Sequence, residues 1–479
     1  MRLSLDRTIT IIIFVTVFAM AVRVPVDTDM YWHLAAGRYI VATGQVPTTD
    51  PFSSTMRGQP WVDVYWLAQW SLYSVYALAG MNGLAVLVAV LVVVAFIFVW
   101  RQMTGGALLR AFVLVLTAAA SGVIWSPRPQ MATYVLLAVL GYVLHLYRWK
   151  QVDRLWVVPI VFVVWANTHG GFVAGFMLLG AAIIGETLHN LTPASNPEAM
   201  GWPRLRKLIV ITLLSGAVLL INPHTINVLR LPFETVNIGA LQNFIAEWAS
   251  PDFHELFQQP MLWMLMLTLI AIGQSGRRLD WTDAATLVLF AYLAFVARRN
   301  IGLFAIVCAP ILSRHAAAWF ERSRWGQRRL SPGIPFANGA ILFVIALAAS
   351  VKVVAPLLPS VQAEAEARIM PRAAVEWIAA NRPAGLMFNS YNWGGYFLWR
   401  LGPDYPVFVD GRTDVYGNTL LGEYLQIIQA APEFEAMLAA RNIGCVVVDR
   451  DSLLARALAR SGEWTLAHGD EQAVIYVRQ

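Results

Sequence analysis

Eleven apolar runs, most of them long enough to carry a helix across a hydrocarbon layer, decide what this chain can fold into. A backbone surrounded by lipid has no water to bond, so a spanning run becomes a helix or part of a closed barrel. A helix needs about 20 mostly apolar residues to cross. The runs lie near 8–24, 83–100, 106–125, 131–147, 155–168, 171–188, 207–222, 260–275, 281–297, 300–314 and 336–357, with Arg298 and Arg299 interrupting the stretch 281–314. Composition agrees, since 58% hydrophobic against 13% charged residues lies outside the soluble norm. Many of the 19 tryptophans fall near run ends, where amphipathic rings settle at a membrane interface. No small-residue cleavage site follows the first run, so it reads as an uncleaved first span.

Orientation follows from the basic residues. With the N-terminus inside, 17 Lys/Arg fall in cytoplasmic segments, against seven outside before the last span. That bias is the one that orients membrane proteins. An odd number of spans then leaves the C-terminal region outside. The net charge of +6 is spread through short loops without basic tracts, so it reflects topology and gives no reason to expect nucleic acid. Cys308 and Cys445 form neither a disulfide framework nor a metal-ligand spacing.

The composition changes at about residue 361, where charges become frequent and apolar stretches shorten to strand length: "GLMFNS", "YPVFVD", "GCVVVD" and "AVIYV". "PRAAVEWIAAN" between them has a helical pattern opened by proline. The expected fold is a polytopic α-helical membrane domain over 1–360, followed by an extracytoplasmic α/β domain over 361–479.

The unusual polar residues share one side of this topology. "DTDMYWH" opens the first outer loop; "SPRPQ", "WANTHGGF", "IAEWASPDFHE" and "ARRN" occupy the later outer ones. Cytoplasmic ends carry little beyond the arginines, apart from Glu186 and His189. The first outer loop runs from about 25 to 82, far longer than an unstructured connection. Stretches 30–42 and 62–80 have the amphipathic spacing of helices lying on a membrane surface. Asp27 and Asp29 border hydrocarbon, where unpaired charge is costly, and closely spaced carboxylates there suit a general base, a divalent-cation site, or both. His33 lies about one turn beyond Asp29, placed to orient that group or to serve the structure.

Arg298 and Arg299 are either headgroup anchors or, as paired cations against the positive-inside bias, holders of a phosphate. Arg128, flanked by prolines, divides evenly between those readings. Asn167 and His169 can cap a tight turn, and Glu247 beside Trp248 can be plain interfacial chemistry. Asp410 and Arg412, in "VDGRTDVYG", stand at an expected strand end, where α/β domains often carry ligands. With His169, Asn167 and Glu247 they complete the acceptor or substrate candidates. Acids, histidines and arginines on one face suit sugar transfer from a polyprenyl-phosphate donor to a glycan, lipid or protein hydroxyl. That reaction needs a base for the acceptor and cations for the departing phosphate.

The acidic pair after the first span, the long first outer loop and "DTDMYWHLAAGRYI…GQVPTTDPFSST…GQPWV" resemble the GT-C class of membrane glycosyltransferases. Within it they are similar to bacterial enzymes related to the dolichyl-phosphate-mannose-type and lipopolysaccharide-core transferases. "SPRPQ", "WANTHGGF", "AEWASPDF", "RRN" and "NSYNWGGYFLWRL…VFVDGRTDVYG" resemble blocks of the same group. The resemblance implies Asp27 or Asp29 as catalytic base or metal ligand, and Arg298 and Arg299 near the donor phosphate. It implies a bacterial inner-membrane location, and the Asp-x-Asp spacing permits a divalent cation (Mg or Mn) without requiring one. There is no Trp-Trp-Asp-type motif, which argues against peptide glycosylation by the oligosaccharyltransferase route. A transporter or flippase would call for broken or charged spans and a repeated pattern, neither of which is seen. A non-catalytic envelope scaffold leaves the first loop without a role.

Overall fold

The computed structural model describes residues 4–192, 200–236, 238–239, 245–323 and 335–479. A helix occupies each of the eleven runs: α1 (Leu5–Ala21), α3 (Trp66–Gln102), α4 (Ala107–Ser121), α5 (Gln130–Trp149), α6 (Val157–Ala166), α7 (Phe172–Leu191), α8 (Trp202–Ala217), α10 (Gln259–Ser275), α11 (Trp281–Val296), α12 (Ile301–Arg322) and α13 (Pro335–Val354). Between them lie α2 (Met30–Thr43) in the first outer loop and α9 (Asn227–Val236). Among the described residues, six helical segments are long and apolar enough to cross a membrane by length and composition, namely those at α3, α4, α5, α7, α12 and α13.

Helix α12 is the hub. Every residue from Ile301 to Ser313 is buried, and the helix packs on α3, α4, α5, α10 and α11. A helix apolar all round belongs inside a bundle. Gly302 lets it approach α5, since a Cβ there would lie 2.5 Å from the Tyr134 ring. Helix α13 is the opposite case. It packs mainly on α1 and leaves Phe336 86% and Phe343 71% exposed, an apolar surface that water would not tolerate and lipid would. At the end of the bundle away from α1's C-terminus, Arg148 pairs with Glu186 and Asp280, and Arg314 with Asp283, tying α5, α7, α11 and α12 together.

The first outer loop differs from a pair of surface helices. The expected helix at 62–80 is the outer part of α3, joined to the span at Gly80, whose φ of 61° breaks the helical path. Helix α2 is no surface helix, because Met30–Gly37 are all buried. Its narrow side crosses α3 closely, where a Cβ on Gly37 would sit 2.2 Å from the Gln69 carbonyl oxygen. Its other side is covered by the C-terminal region.

After α14 (Pro359–Ile369), that region holds a four-stranded sheet ordered β1-β2-β4-β3, from β1 (Leu386–Asn389), β2 (Ile443–Asp449), β3 (Trp464–Gly469) and β4 (Ala473–Arg478). β1 and β2 run parallel, and the other two pairs are antiparallel. Around it stand α15 (Arg372–Asn381), α16 (Gly394–Leu401), α17 (Thr413–Ile428), α18 (Phe434–Ala440) and α19 (Leu453–Leu458). β3 was not expected, and "YPVFVD" is not a strand. Val407–Val409 are buried, but their backbone is bonded elsewhere. Asn389 brackets them, accepting from the Phe408 N–H and donating to the Val409 carbonyl, both at 2.8 Å. The Ser54 N–H and Thr55 hydroxyl of the first outer loop take the Val407 and Phe408 carbonyls, at 2.8 and 2.7 Å.

The same loop reaches Asp410 and Arg412, the expected ligand residues of the sheet region, and pairs with them in the interior. Both side chains are fully buried. The Arg412 guanidinium bonds Asp410 at 2.7 Å and Asp50 of the first outer loop at 2.6 Å, between the rings of Phe52 and Trp61. They weld two distant parts of the chain. Breaking a buried pair by removing one partner costs about 3–5 kcal/mol. Arg412→Ala, which strands two buried carboxylates, should therefore expose the sheet region to limited proteolysis and lower the apparent melting temperature. Arg412→Lys should rescue little, because an ammonium cannot fork between two acids. Wild-type protease resistance in Arg412→Ala would show that the weld is dispensable.

Candidate functional site

The C-terminal end of α1 opens into Asp27 and Asp29. Asp27 braces the turn that leads into α2, its Oδ1 accepting the N–H groups of Asp29 at 2.9 Å and Met30 at 3.3 Å. Asp29 faces Arg128, with Oδ2 2.8 Å from Nη2. Arg128 also grips Glu247 in a two-pronged contact, 2.6 Å from Nη1 to Oε1 and 3.3 Å from Nη2 to Oε2, and lies 3.7 Å from Asp27 Oδ2. Its backbone is fixed by Pro127, Pro129 and a 2.7 Å bond from its N–H to the Ser126 carbonyl. Three interhelical loops thus meet at one guanidinium.

Burial pushes the Asp29 carboxyl up to about 6, with Asp27 and Glu247 adding to the rise, although Arg128 opposes it. Burial also acts to raise Glu247, but Arg128, Arg299 and Arg298 outweigh it and hold that carboxyl below its ordinary value. Asp29 is the more open of the aspartates, at 25% against 17% exposure.

Arg298 and Arg299 form the turn between α11 and α12, pinned by the Arg298 N–H on the Ala249 carbonyl at 3.0 Å. The Arg299 guanidinium lies over the Trp248 ring, 4.5 Å from its centre. Among the described residues neither arginine makes an ion pair. His169, in the α6–α7 turn, takes the Gly171 N–H on Nδ1 at 3.0 Å, with the Thr133 hydroxyl 2.8 Å away. Burial, Arg299 and Arg128 push it down to about 3, so the ring is neutral with its proton on Nε2. Tyr65 bridges inward, its ring 5.8 Å from His169 and 5.5 Å from His33.

Two candidates stand away from this centre. Asn167 is spent on the scaffold: its Oδ1 accepts from Trp66 Nε1 and Asn222, while Nδ2 donates to the Val163 and Ile221 carbonyls. His33 is buried and makes no side-chain bond to Asp29. Its Nδ1 lies 3.5 Å from Gln69 Nε2, which also donates to Asp63 at 3.0 Å.

Asp63 escaped the sequence reading, although an acid in the aromatic run "PWVDVYW" was a signal. Burial raises it to about 8, so it carries a proton at neutral pH. Asp63 Oδ2 and Gln69 Oε1 are buried without a hydrogen-bond partner among the described residues. Asp414, held up to about 6 chiefly by burial, is a second missed acid.

The sheet region closes over the site through two glycines. A Cβ on Gly411 would fall 2.2 Å from Asp29 Oδ1 and 2.7 Å from Trp32 Nε1, and one on Gly395 3.0 Å from the Thr28 carbonyl.

No family model matches the chain, and no curated protein matches it in sequence. Solved structures do match in fold. The archaeal oligosaccharyltransferase AglB from Archaeoglobus fulgidus, in complex with an inhibitory peptide and a dolichol-phosphate, aligns at a TM-score of 0.61 and 12% identity over 98% of this chain and 74% of that one. ArnT from Cupriavidus metallidurans aligns at 0.52 and 15% identity over 98% and 97%. The arabinofuranosyltransferase AftD from Mycobacteria aligns at 0.52 and 15% over 100% and 42%. The chain has the GT-C fold. Identities this low speak for architecture alone, and the GT-C likeness covers both bundle and sheet region.

The buried Asp63 makes a sign-definite prediction. A carboxyl raised to about 8 in the folded state stabilises below its unfolded value near 4, and that stability drains away as pH climbs between the two. Asp63→Asn should therefore raise the apparent melting temperature clearly at a pH of about 7.5 and much less at about 5. An equal effect at both pH values would mean that Asp63 is ionised in the fold.

Proposed function

We propose that this protein is an integral membrane glycosyltransferase that moves a sugar from a polyprenyl-phosphate donor to an acceptor hydroxyl at the outer membrane face. The observation that carries the reading is the convergence, at one end of the bundle, of a partly open carboxylate (Asp29) and a half-buried cation without an ion-pair partner among the described residues (Arg299). A base should titrate near the working pH, and a departing phosphate needs a preorganised cation.

Asp29 takes the acceptor proton, with Asp27 shaping the turn that presents it. Arg299, held flat on Trp248, meets the donor phosphate, with Arg298 beside it. The neutral His169 offers its Nε2–H as a hydrogen-bond donor. GT-C neighbours whose names state glycosyl transfer, one of them solved with a dolichol-phosphate, support this reading. In the matching topology the chain crosses a bacterial-type inner membrane eleven times. The N-terminus is cytoplasmic, and residues 361–479 form the outer domain.

The test is release of polyprenyl phosphate from a panel of polyprenyl-phosphate sugars, with membrane extract as acceptor. Asp29→Asn should lower turnover by about 10²–10⁴-fold, as for loss of a general base. Arg299→Ala should lower it by about 10²–10³-fold, and Asp27→Asn less than either. Wild-type turnover should fall as pH drops through about 6, where Asp29 takes up its proton. Equal turnover in wild type, Asp29→Asn and Arg299→Ala would remove the site from consideration.

A further inference from the structure

The Asp-x-Asp spacing permits a divalent cation, and the geometry tests whether the site fits one. Small divalent cations such as Mg draw carboxylate oxygens to a single point, at about 2.0–2.1 Å. Here the point between Asp27, Asp29 and Glu247 is filled by the guanidinium of Arg128, which spreads the oxygens along its edge at 3.7, 2.8 and 2.6 Å. Asp27 has already committed Oδ1 to two backbone N–H groups. Among the described residues no three acids, histidines or cysteines are arranged to hold a metal ion. As built, the site does not fit a metal.

We infer that Arg128 is the resident cation of this acidic cluster. It stands where a divalent ion would otherwise sit and makes the cluster independent of added metal. Three observations argue that the contact is built in. The guanidinium is 15% exposed, so it is no surface side chain folded back by chance. It reaches acids from two other loops, both of which converge on it. Its backbone is locked between two prolines and cannot readily swing away.

Chemistry supplies the rest. An arginine keeps its charge at any physiological pH and cannot be chelated, so the cluster is neutralised by the same amount under all conditions. The guanidinium carries one charge against three, leaving the carboxylates electron-rich enough for one of them to act as a base. Arg128 is thus a positioning residue for Asp29 and is not a phosphate holder, which leaves that task to Arg299. The assignment deepens the transferase reading and rests on it only for the role given to Asp29.

Manganese binding to the purified full-length protein, followed by loss of the free Mn²⁺ resonance signal, tests the inference without any sugar donor. Wild type and Arg128→Lys should show no stoichiometric Mn²⁺. Arg128→Ala vacates the point between three carboxylates and should take up one Mn²⁺ per chain. Adding Asp29→Asn or Glu247→Gln to it should weaken that binding by about tenfold or more. Wild-type binding of one Mn²⁺ that Asp29→Asn abolishes would overturn the inference, because the metal would then displace or coexist with the arginine. Folded Arg128→Ala without bound Mn²⁺ would overturn it from the other side. Should Arg128→Ala not fold, the wild-type measurement and Arg128→Gln still decide the matter. Failure of sugar transfer in the donor assay would leave this result untouched, so the two readings fail separately.

Discussion

Three carboxylates share a poorly hydrated pocket because a single guanidinium stands among them. Asp27 and Asp29 share one segment, while Glu247 and Arg128 come from two others, each anchored by a different part of the helix bundle. The ion cluster can form only if the helices place those segments at one end of the molecule and in one small volume. Helix α12 makes that convergence possible. Buried over its first thirteen residues, it sets the positions of the helices around it, and the turn that precedes it carries Arg299 to the rim of the same pocket.

The pocket also depends on what lies above it. Helix α2 is clasped between α3 and the sheet region, and glycines 37, 395 and 411 mark where backbone must come close. Gly411 lies against Asp29 itself. The sheet region is therefore a wall of the site as well as an appended domain. Asp29 owes its raised titration first to burial, and part of that burial comes from a segment almost four hundred residues later in the chain.

The gathering of these residues at one end was legible in the sequence because it follows from counting apolar runs. Once alternate loops were assigned to one face, Asp27, Asp29, Arg128, His169, Glu247 and Arg299 fell together, and the structure brings them to one end. Pairing was not legible. Nothing near Arg412 announces Asp50, and an arginine in "DGRTD" looks the same whether it awaits a ligand or a partner within the chain. Burial of α2 was hidden for a related reason. Amphipathic spacing shows that one face is apolar, but a second covering layer depends on contacts with the sheet region. "YPVFVD" misled because strand-like composition signals burial, and here an asparagine side chain and a neighbouring loop satisfy the backbone in place of a ladder.

The Arg412–Asp50 weld imposes an order of events on the chain's birth. Its two members are 362 positions apart, and at about 5–20 residues per second the ribosome needs roughly 20–70 s to travel between them. For that time the first interhelical loop, with Asp50, Phe52 and Trp61, exists without the region that covers it. A nascent chain halted anywhere before the sheet region could assemble its bundle yet leave the acidic pocket unroofed. Completion of the last quarter of the polypeptide thus acts as a licence, withholding a finished site from any chain that is not itself finished.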